Sequence, residues 1–310
     1  PICPPSATRR PMEPAAEPAH RPPSDSGSDS CRDTAQYTPS ATFHLSGRLH
    51  FTTHHGDAQT MQHIHEFPSL YYFSSPIPEM YTPFCADFGP NHICNVKSFI
   101  DQIRSRVQHP LLSHRALVYY TTTNNYDITN SAFLLCCYLM LEEGFTPEQA
   151  VARFDRIAGL PIVHFRDATW KQPTFDLTLL DCLRGLQKAV SLHFVDPASF
   201  NEHDYEAFCE QPSYDINSIT PKFVAFATPK TEADEYTDAR PPQAHAEPFR
   251  YLGVTDVVRL SEPGMYEDEA FVHAGFRHHA LEFADCSCPT PDIVRRFLDI
   301  CDAAGDGVVA

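Results

Sequence analysis

The chain has 310 residues, about twice the length of a typical domain, so two folded units with a tail are expected. Its composition, 42% hydrophobic and 20% charged, excludes a fibrous or wholly disordered protein. The formal net charge of -17 argues against nucleic acid as a partner and favours basic peptides, because binding to phosphate backbones depends on clustered lysine and arginine.

No segment has the pattern of a membrane-spanning helix or a signal peptide. The longest apolar run, residues 132–141, is far shorter than the roughly 20 residues that cross a bilayer. The first residues lack a basic leader followed by an apolar stretch. We therefore predict no membrane partner.

The 11 cysteines are an odd number and are scattered without paired CxxC motifs. Because Cys136 and Cys137 fall within an apolar helical pattern, reduced thiols in an intracellular protein are favoured. A structural metal site needs four ligands at recognisable spacing. Neither the CxC at Cys286 and Cys288 nor the histidines between residues 54 and 65 supply such a set, so we expect no metal and no cofactor.

Residues 1–62 are rich in proline, serine, alanine and aspartate and lack apolar periodicity. Such segments cannot bury enough apolar surface to offset the entropy of ordering. The sequence therefore predicts a disordered tail over residues 1–62.

Residues 63–198 carry the patterns of a first α/β unit. Residues 70–73 and the continuous apolar run at residues 116–120 predict strands, and the second is typical of a strand covered on both faces in a parallel sheet. Thr146 and Gln149 form a capping-box pattern, with proline at the first helical position, and this predicts the start of a helix. Further helices are predicted over residues 96–107, 130–141 and 179–190.

A linker is predicted at residues 199–213, followed by a second unit over residues 214–310. Strands are predicted at residues 223–228, at 254–260 and in the segment that ends near Asp285, and Thr290 predicts the N-cap of a helix. The last residues, including Val308 and Val309, predict the start of a buried strand. Both halves share an acidic turn, an amphipathic helix and an apolar strand, and the second half stops where a strand-loop-helix phosphate cradle would follow.

Several collinear motifs resemble the cell-division-cycle-fourteen family of dual-specificity protein phosphatases. They are FCADFGP at residues 84–90, FRDAT at 165–169, LTLLDCLRGLQKA at 177–189, VTDVVRL at 254–260, and the stretch 271–301. The resemblance covers residues 65–310, and several motifs in order are far more specific than one short match.

The resemblance implies an α/β fold with two tandem phosphatase-like domains, each with a central, mainly parallel sheet flanked by helices. The first domain would be degenerate, and the second would be catalytic but truncated before its phosphate-binding loop. The implied activity is cysteine-dependent hydrolysis of phosphoserine-proline and phosphotyrosine sites in cell-cycle control, with a nuclear or spindle location. We predict that the chain itself is inactive, because its one Cys-x5-Arg spacing, Cys3 to Arg9, lies between prolines in the predicted tail.

The resemblance also implies roles for four carboxylates. Asp285 matches the general acid that protonates the leaving oxygen, although Cys286 and Cys288 replace the family's usual glycine and threonine. Asp167 and Glu206 match an acidic groove that selects a basic residue of phosphorylated protein substrates, and Glu210 adjoins a groove position held here by Cys209. The alternatives are a turn-capping aspartate for Asp285, a helix-capping aspartate for Asp167 and a solvated glutamate for Glu206.

Other polar and aromatic residues are interpreted as structural. Asp87 is predicted to bind nearby turn amides, Trp170 to pack in the interior, and His278 and His279 to be satisfied by neighbours. A second function also fits the sequence: a non-catalytic phosphatase-fold module that binds basic or phosphorylated peptides. A His-Cys-x5-Arg loop after residue 310 would favour the enzyme, and its loss would favour the binding module.

Overall fold

The structure is a computed structural model that describes residues 37, 40–210, 214–230, 240–284 and 287–310. Residues 1–36 of the predicted tail and Asp285 lie outside the described residues. Residues 36–310 group as one unit, which contains sheets of four and five strands and a two-stranded ladder.

The first sheet has four strands in the order β1-β2-β4-β3. They are β1 Phe43–Ser46, β2 Leu49–Thr53, β3 Leu70–Phe73 and β4 Ala116–Thr121. β4 lies parallel to both β2 and β3, and β1 pairs antiparallel with β2 at the edge. The predicted parallel sheet is confirmed for β3 and β4.

The predicted tail boundary at residue 62 is wrong, because residues 43–53 form two strands of this sheet. Leu45, Leu49 and Phe51 are buried in its core. Their segments, FHLS and LHFTT, mix histidine and threonine with few apolar residues, so each strand is weak by pattern alone. β2 is buried because it pairs with the apolar strand β4, and this pairing cannot be read from the local sequence.

Five helices accompany the first sheet. They are α1 Asp57–Glu66, α2 Ile93–Val107, α3 Asn125–Leu141, α4 Pro147–Asp155 and α5 Leu179–Ser191. α3 is buried from residue 128 to residue 140, as its apolar sequence predicts, but it begins at Asn125 because the Asn124 side chain accepts hydrogen bonds from the amides of Tyr126 and Asp127. The capping box of Thr146 and Gln149 at α4 is confirmed.

Short elements lie between and within the regions of the two larger sheets. A two-stranded ladder joins β5 Phe165–Arg166 to β6 Asp176–Leu177. The predicted linker contains the short helix α6 Glu202–Tyr205 and a π-helical turn, Glu206–Glu210. Turns of 3-10 helix occur at Ile77–Glu79, Pro110–Leu112 and Pro242–His245.

The second sheet has five strands in the order β10-β9-β11-β8-β7. They are β7 Ile216–Thr220, β8 Phe223–Phe226, β9 Val254–Arg259, β10 Arg277–Ala280 and β11 Val308–Val309. All neighbours pair in parallel except β7, which pairs antiparallel with β8. The strand predicted at Val308 and Val309 is confirmed.

Both faces of the second sheet are covered. On one face, Val257 packs with Phe249 of α7 Ala246–Tyr251 and with Phe271 of α8 Glu269–His273. On the other, Val258 and Val309 pack with α9 Pro291–Ala303, whose predicted N-cap Thr290 is confirmed. Alternate residues of β9 therefore face opposite layers, as parallel strands between helices require.

In the described part of the chain, every helix is too short or too polar to cross a membrane.

Candidate functional site

The carboxyl edge of the second sheet brings together two of the segments that carry the resemblance noted above, VTDVVRL and the stretch 271–301. The Leu281 amide donates to the Arg259 carbonyl over 2.9 Å, and the Phe283 amide donates to the Leu260 carbonyl over 3.3 Å. The Val258 amide donates to the Ala310 carbonyl over 2.8 Å. The ends of β9, β10 and β11 thus meet at one edge, where ligands of parallel α/β sheets usually bind.

A buried arginine organises this edge. The Arg259 side chain is 6% exposed and forms ion pairs with Asp268 and, over 2.8 Å, with Glu282. Its guanidinium lies 5.8 Å from the centre of the Tyr266 ring. Because two carboxylates from different segments share one cation, Arg259 fixes residue 282 against β9.

His278 and His279 are both satisfied by neighbours, as predicted. His278 lies 3.0 Å from the Tyr266 hydroxyl and 3.7 Å from an Asp268 oxygen, and its burial lowers its pKa. His279 lies 2.9 Å from the buried carboxylate of Asp256. These contacts support structural roles for the two histidines.

Asp256, within β9, is a buried carboxylate close to this edge. Burial alone would raise its pKa, but hydrogen bonds from Arg277, Thr255 and His279 together lower it. The Arg277 guanidinium contacts it over 2.6 Å and the Thr255 hydroxyl over 2.7 Å. Asp256 therefore stays ionised and holds β9 to β10.

The proposed general acid, Asp285, lies outside the described residues, but its neighbours on both sides are described. The Ser287 amide donates to the Ala284 carbonyl over 3.2 Å. A cavity of about 350 Å³ opens at the same edge. Its lining includes Phe223, Val258, Arg259, Leu260, Tyr266 and Ala310.

Asp167 lies in the loop between β5 and β6, away from any helix N-terminus. One of its carboxylate oxygens accepts hydrogen bonds from the amide and hydroxyl of Thr174, over 3.3 Å and 3.1 Å. The other is buried and has no hydrogen-bond partner among the described residues. Asp167 thus braces this loop, and the helix-capping alternative is wrong.

Trp170 lies in the same loop, and the prediction that it packs in the interior is wrong. Its side chain is 79% exposed and does not pack in the interior. The Arg166 guanidinium donates to the carbonyls of Thr169 and Lys171, over 2.9 Å and 2.6 Å, and this pins the loop on either side of the indole. The ladder of β5 and β6 has only two residue pairs, and Trp170 lies in the loop that joins its strands.

Glu206 is exposed and begins the π-helical turn. Among the residues that the structure describes, no hydrogen bond or ion pair links it to Asp167. Glu210 ends the same turn, and its side chain lies outside the described part of the chain. The acidic groove of Asp167, Glu206 and Glu210 stays a prediction.

Asp87 is a turn residue, as predicted. Its carboxylate accepts hydrogen bonds from the Tyr81 hydroxyl and from the amides of Cys85 and Phe84. Burial would raise its pKa, but these three bonds lower it. The carboxylate is thereby committed to holding the turn.

At the carboxyl edge of the first sheet, the loop after β4 carries threonine hydroxyls and has no cysteine. The Thr122 hydroxyl donates to Asp127 over 2.5 Å, and a cavity of about 340 Å³ between this loop and α1 includes His54 in its lining. Cys136 and Cys137 lie farther along, inside α3, where burial raises the pKa of both thiols. Neither has the low pKa that a cysteine nucleophile needs.

Sequence reasoning missed the network of Arg259, Asp268 and Glu282. One signal was present: an arginine near the end of an otherwise apolar strand pattern has to find carboxylates when that strand is buried. Which carboxylates it finds depends on segments 9 and 23 residues away. Within the described residues, no group of three or more histidine, cysteine, aspartate or glutamate side chains is arranged to hold a metal ion.

Comparison with known proteins supplies the family context. Residues 44–189 match the family model described as dual specificity protein phosphatase, N-terminal half. The chain is 33% identical to the human dual specificity protein phosphatase CDC14C over 269 residues, which cover 86% of this chain and 58% of that protein. It is 34% identical to mouse CDC14A, covering 86% of this chain and 43% of that protein.

A more distant relative is the tyrosine-protein phosphatase CDC14 of Saccharomyces cerevisiae, which is 29% identical over 236 residues. That match covers 74% of this chain and 42% of the yeast protein. The chain therefore spans about half the length of the curated relatives it matches.

Proposed function

Because the chain belongs to the CDC14 family of dual specificity protein phosphatases, we propose that the whole protein removes phosphate from phosphoserine-proline and phosphotyrosine sites of other proteins. The observation that carries this proposal is the match over 86% of the chain to proteins named as dual specificity phosphatases. Cell-cycle control, with a nuclear or spindle location, is part of the same proposal.

The proposed chemistry uses a cysteine thiolate in a His-Cys-x5-Arg loop after β11. The thiolate attacks phosphorus, the bond to the serine or tyrosine oxygen breaks, and Asp285 gives its proton to that oxygen. Water then hydrolyses the cysteinyl-phosphate to release phosphate and regenerate the thiolate. The hydrogen bonds of Leu281 and Phe283 to the end of β9 support this role for Asp285, because they place the residues just before it at the carboxyl edge.

We further propose that the first sheet belongs to a degenerate phosphatase-like domain and the second sheet to the catalytic domain, joined by the linker at residues 199–213. The separate hydrophobic cores of the two sheets support this division. The chain of 310 residues is proposed to be inactive alone, since its sequence has no His-Cys-x5-Arg motif.

Substrate choice is proposed to depend on an acidic groove formed by Asp167, Glu206 and Glu210. A carboxylate cluster attracts a lysine or arginine near the phosphorylated residue and disfavours acidic peptides. The exposure of Glu206 and the overall charge of -17 support this selectivity.

The test compares the full-length product of the gene with this chain on a phosphoserine-proline peptide that carries a downstream lysine. Turnover by the full-length protein alone is expected. Asp285→Asn is expected to lower kcat by about 100-fold or more, since a positioned general acid typically contributes that much. Asp292→Asn, at an exposed carboxylate in the first turn of α9, is the matched control and should leave kcat unchanged.

Two results would contradict the proposal. A gene product without the cysteine motif, and without turnover, would make the protein a phosphopeptide-binding module. Turnover that survives Asp285→Asn would remove Asp285 from the mechanism.

A further inference from the structure

The segment that carries Glu206 is tied to α2 by a carboxylate four residues earlier. One oxygen of Glu202 lies 3.3 Å from the Lys97 ammonium, and the other accepts a hydrogen bond of 2.7 Å from the Ser98 hydroxyl. Both partners belong to α2, more than 100 residues away in sequence. Glu202 therefore uses both oxygens in contacts inside the molecule.

The same segment also contacts the second sheet's layer. Asp204 accepts a hydrogen bond of 3.1 Å from the Tyr251 hydroxyl at the end of α7. The Tyr251 ring lies 5.5 Å from the ring of Phe208. Residues 202–208 are thus held from both sides, and Glu202 and Asp204 are already engaged.

Glu206 differs from these two carboxylates. It is exposed, and while its backbone N–H donates to the carbonyls of Glu202 and His203, no hydrogen bond or ion pair joins its carboxylate to another described residue. Its backbone follows α6 with helical torsion angles, so Glu202 and Glu206 are (i, i+4) neighbours whose Cβ atoms lie about 5–6 Å apart. A cation bound to Glu202 is therefore close to Glu206 as well.

Lys97 is the cation in that position. Hydrogen bonds to Asp101 and Glu202 raise its pKa, so it remains charged. Its side chain is 20% exposed, and its ammonium sits at the end of a flexible four-carbon chain. Asp101, on the same helix, also binds Lys97 over 2.5 Å. Without Glu202, Lys97 would keep this one partner and would be an internal competitor for the carboxylate at residue 206.

We propose that Glu202 is a positioning residue that keeps Lys97 bound and so leaves Glu206 free for a basic side chain of the substrate peptide. This inference rests on the proposed function, because it explains how the acidic groove stays open to substrate. A lysine of the chain and a lysine of the substrate have the same chemistry, so the groove can select substrate only when the internal lysine is engaged elsewhere.

The test measures kcat and KM of the full-length protein on two phosphoserine-proline peptides, one with a downstream lysine and one with alanine in its place. The preference is the ratio of the two kcat/KM values. Glu202→Gln keeps the side-chain volume but removes one of the two charges that bind Lys97, the other being Asp101. It is expected to lower the preference by about 3- to 10-fold through a higher KM for the lysine peptide, a size typical of one partly exposed charge pair.

A second substitution distinguishes competition from loss of structure. Adding Lys97→Met to Glu202→Gln removes the competitor and is expected to restore the preference, although two polar contacts are then lost. Glu148→Gln is the matched control, because it removes a carboxylate that pairs with Arg184 and not with Lys97, and it should leave the preference unchanged.

The outcomes separate this inference from the proposed function. Failure of Glu202→Gln to lower the preference, or failure of Lys97→Met to restore it, overturns the role of Glu202. A wild-type protein that turns over both peptides equally overturns the acidic groove together with this role, but leaves the phosphatase activity standing.

Discussion

Gly89 lies where the turn after Phe88 meets α3 too closely for any side chain. A Cβ atom there would lie 2.3 Å from Oδ1 of Asn130 and 2.7 Å from Cε1 of Phe165. Asn130 cannot easily move, because its amide nitrogen donates to the carbonyls of Pro78 and Phe88, over 3.1 Å and 2.8 Å. The small residue therefore allows the acidic turn to dock on α3.

Gly89→Ala is expected to lower the free energy of unfolding by about 2 kcal/mol, the usual cost of overpacking a rigid site. Gly185→Ala is the control, since nothing lies within 4 Å of a Cβ at that exposed position in α5. It should raise stability by up to about 1 kcal/mol, because alanine favours helix more than glycine does. Urea unfolding of the two variants checks both, and equal effects would contradict the close approach.

Arg259 is expected to be the most costly charge to remove at the carboxyl edge. Arg259→Met leaves Asp268 and Glu282 without their shared cation and should lower the free energy of unfolding by about 3 kcal/mol. Arg295→Met, which removes an ion pair whose arginine side chain is 67% exposed, should change stability by less than about 0.5 kcal/mol. Thermal denaturation compares the two, and a mild effect of Arg259→Met would argue that the network is weak.

At the scale of elements, a histidine pair joins the end of β2 to α1. His54 is 3% exposed, with Nδ1 2.9 Å from the Thr60 hydroxyl oxygen and Nε2 3.2 Å from Nδ1 of His63. The Thr60 hydroxyl donates to the Gly56 carbonyl, which leaves its oxygen to accept from His54. With Nδ1 donating to Thr60, a neutral His54 accepts at Nε2 a hydrogen bond from Nδ1–H of His63.

Burial, with a smaller contribution from the charge of His63, lowers the pKa of His54 from 6.5 to about 4. The unfolded chain therefore binds more protons than the folded protein between these values, so stability should fall as pH decreases from about 6.5 to 4. The loss from His54 alone should approach about 3 kcal/mol at the acid end.

Urea unfolding at pH 7 and pH 5 measures this effect in the wild type and in His54→Gln. The variant should show a smaller loss of stability between the two pH values, because its side chain does not titrate. His203→Gln, at a side chain that is 90% exposed, is the control and should keep the wild-type dependence. Identical pH dependence in all three proteins would contradict the assignment to His54.

At the scale of the whole molecule, the first sheet depends on strands that precede residue 54. β2 pairs with β4 over five residue pairs, and β1 closes the edge beyond it. Without β2, one side of the buried strand β4 would lose its hydrogen-bond partners, and the core around Leu117 and Tyr119 would be opened.

We therefore expect opposite results from two deletions. A chain that begins at Gln36 should unfold cooperatively with the stability of the full 310 residues, whereas one that begins at His54 should fail to show a cooperative transition. Circular dichroism during heating measures both. Loss of the transition in the shorter deletion would show that residues 1–35 contribute to the fold.

Much of the fold was predictable because its signals are local. The capping residues Thr146 and Thr290 and the apolar runs of β4 and β9 each indicate an element within a few residues of sequence. β1, β2 and β7 were not predicted, since their stability comes from pairing with another strand. The exposure of Trp170 was predicted wrongly for a related reason: it depends on how the loop between β5 and β6 lies on the folded protein.

The sequence alone determined the α/β class, the major helices and the family resemblance, because periodicity, caps and motifs are written in neighbouring residues. Only the tertiary structure decided which charges meet. Arg259 binds Glu282, Lys97 binds Glu202, and His54 is held neutral between Thr60 and His63. These contacts depend on distances between packed elements, which local sequence propensity does not specify. They decide how the carboxylates of the proposed site are held.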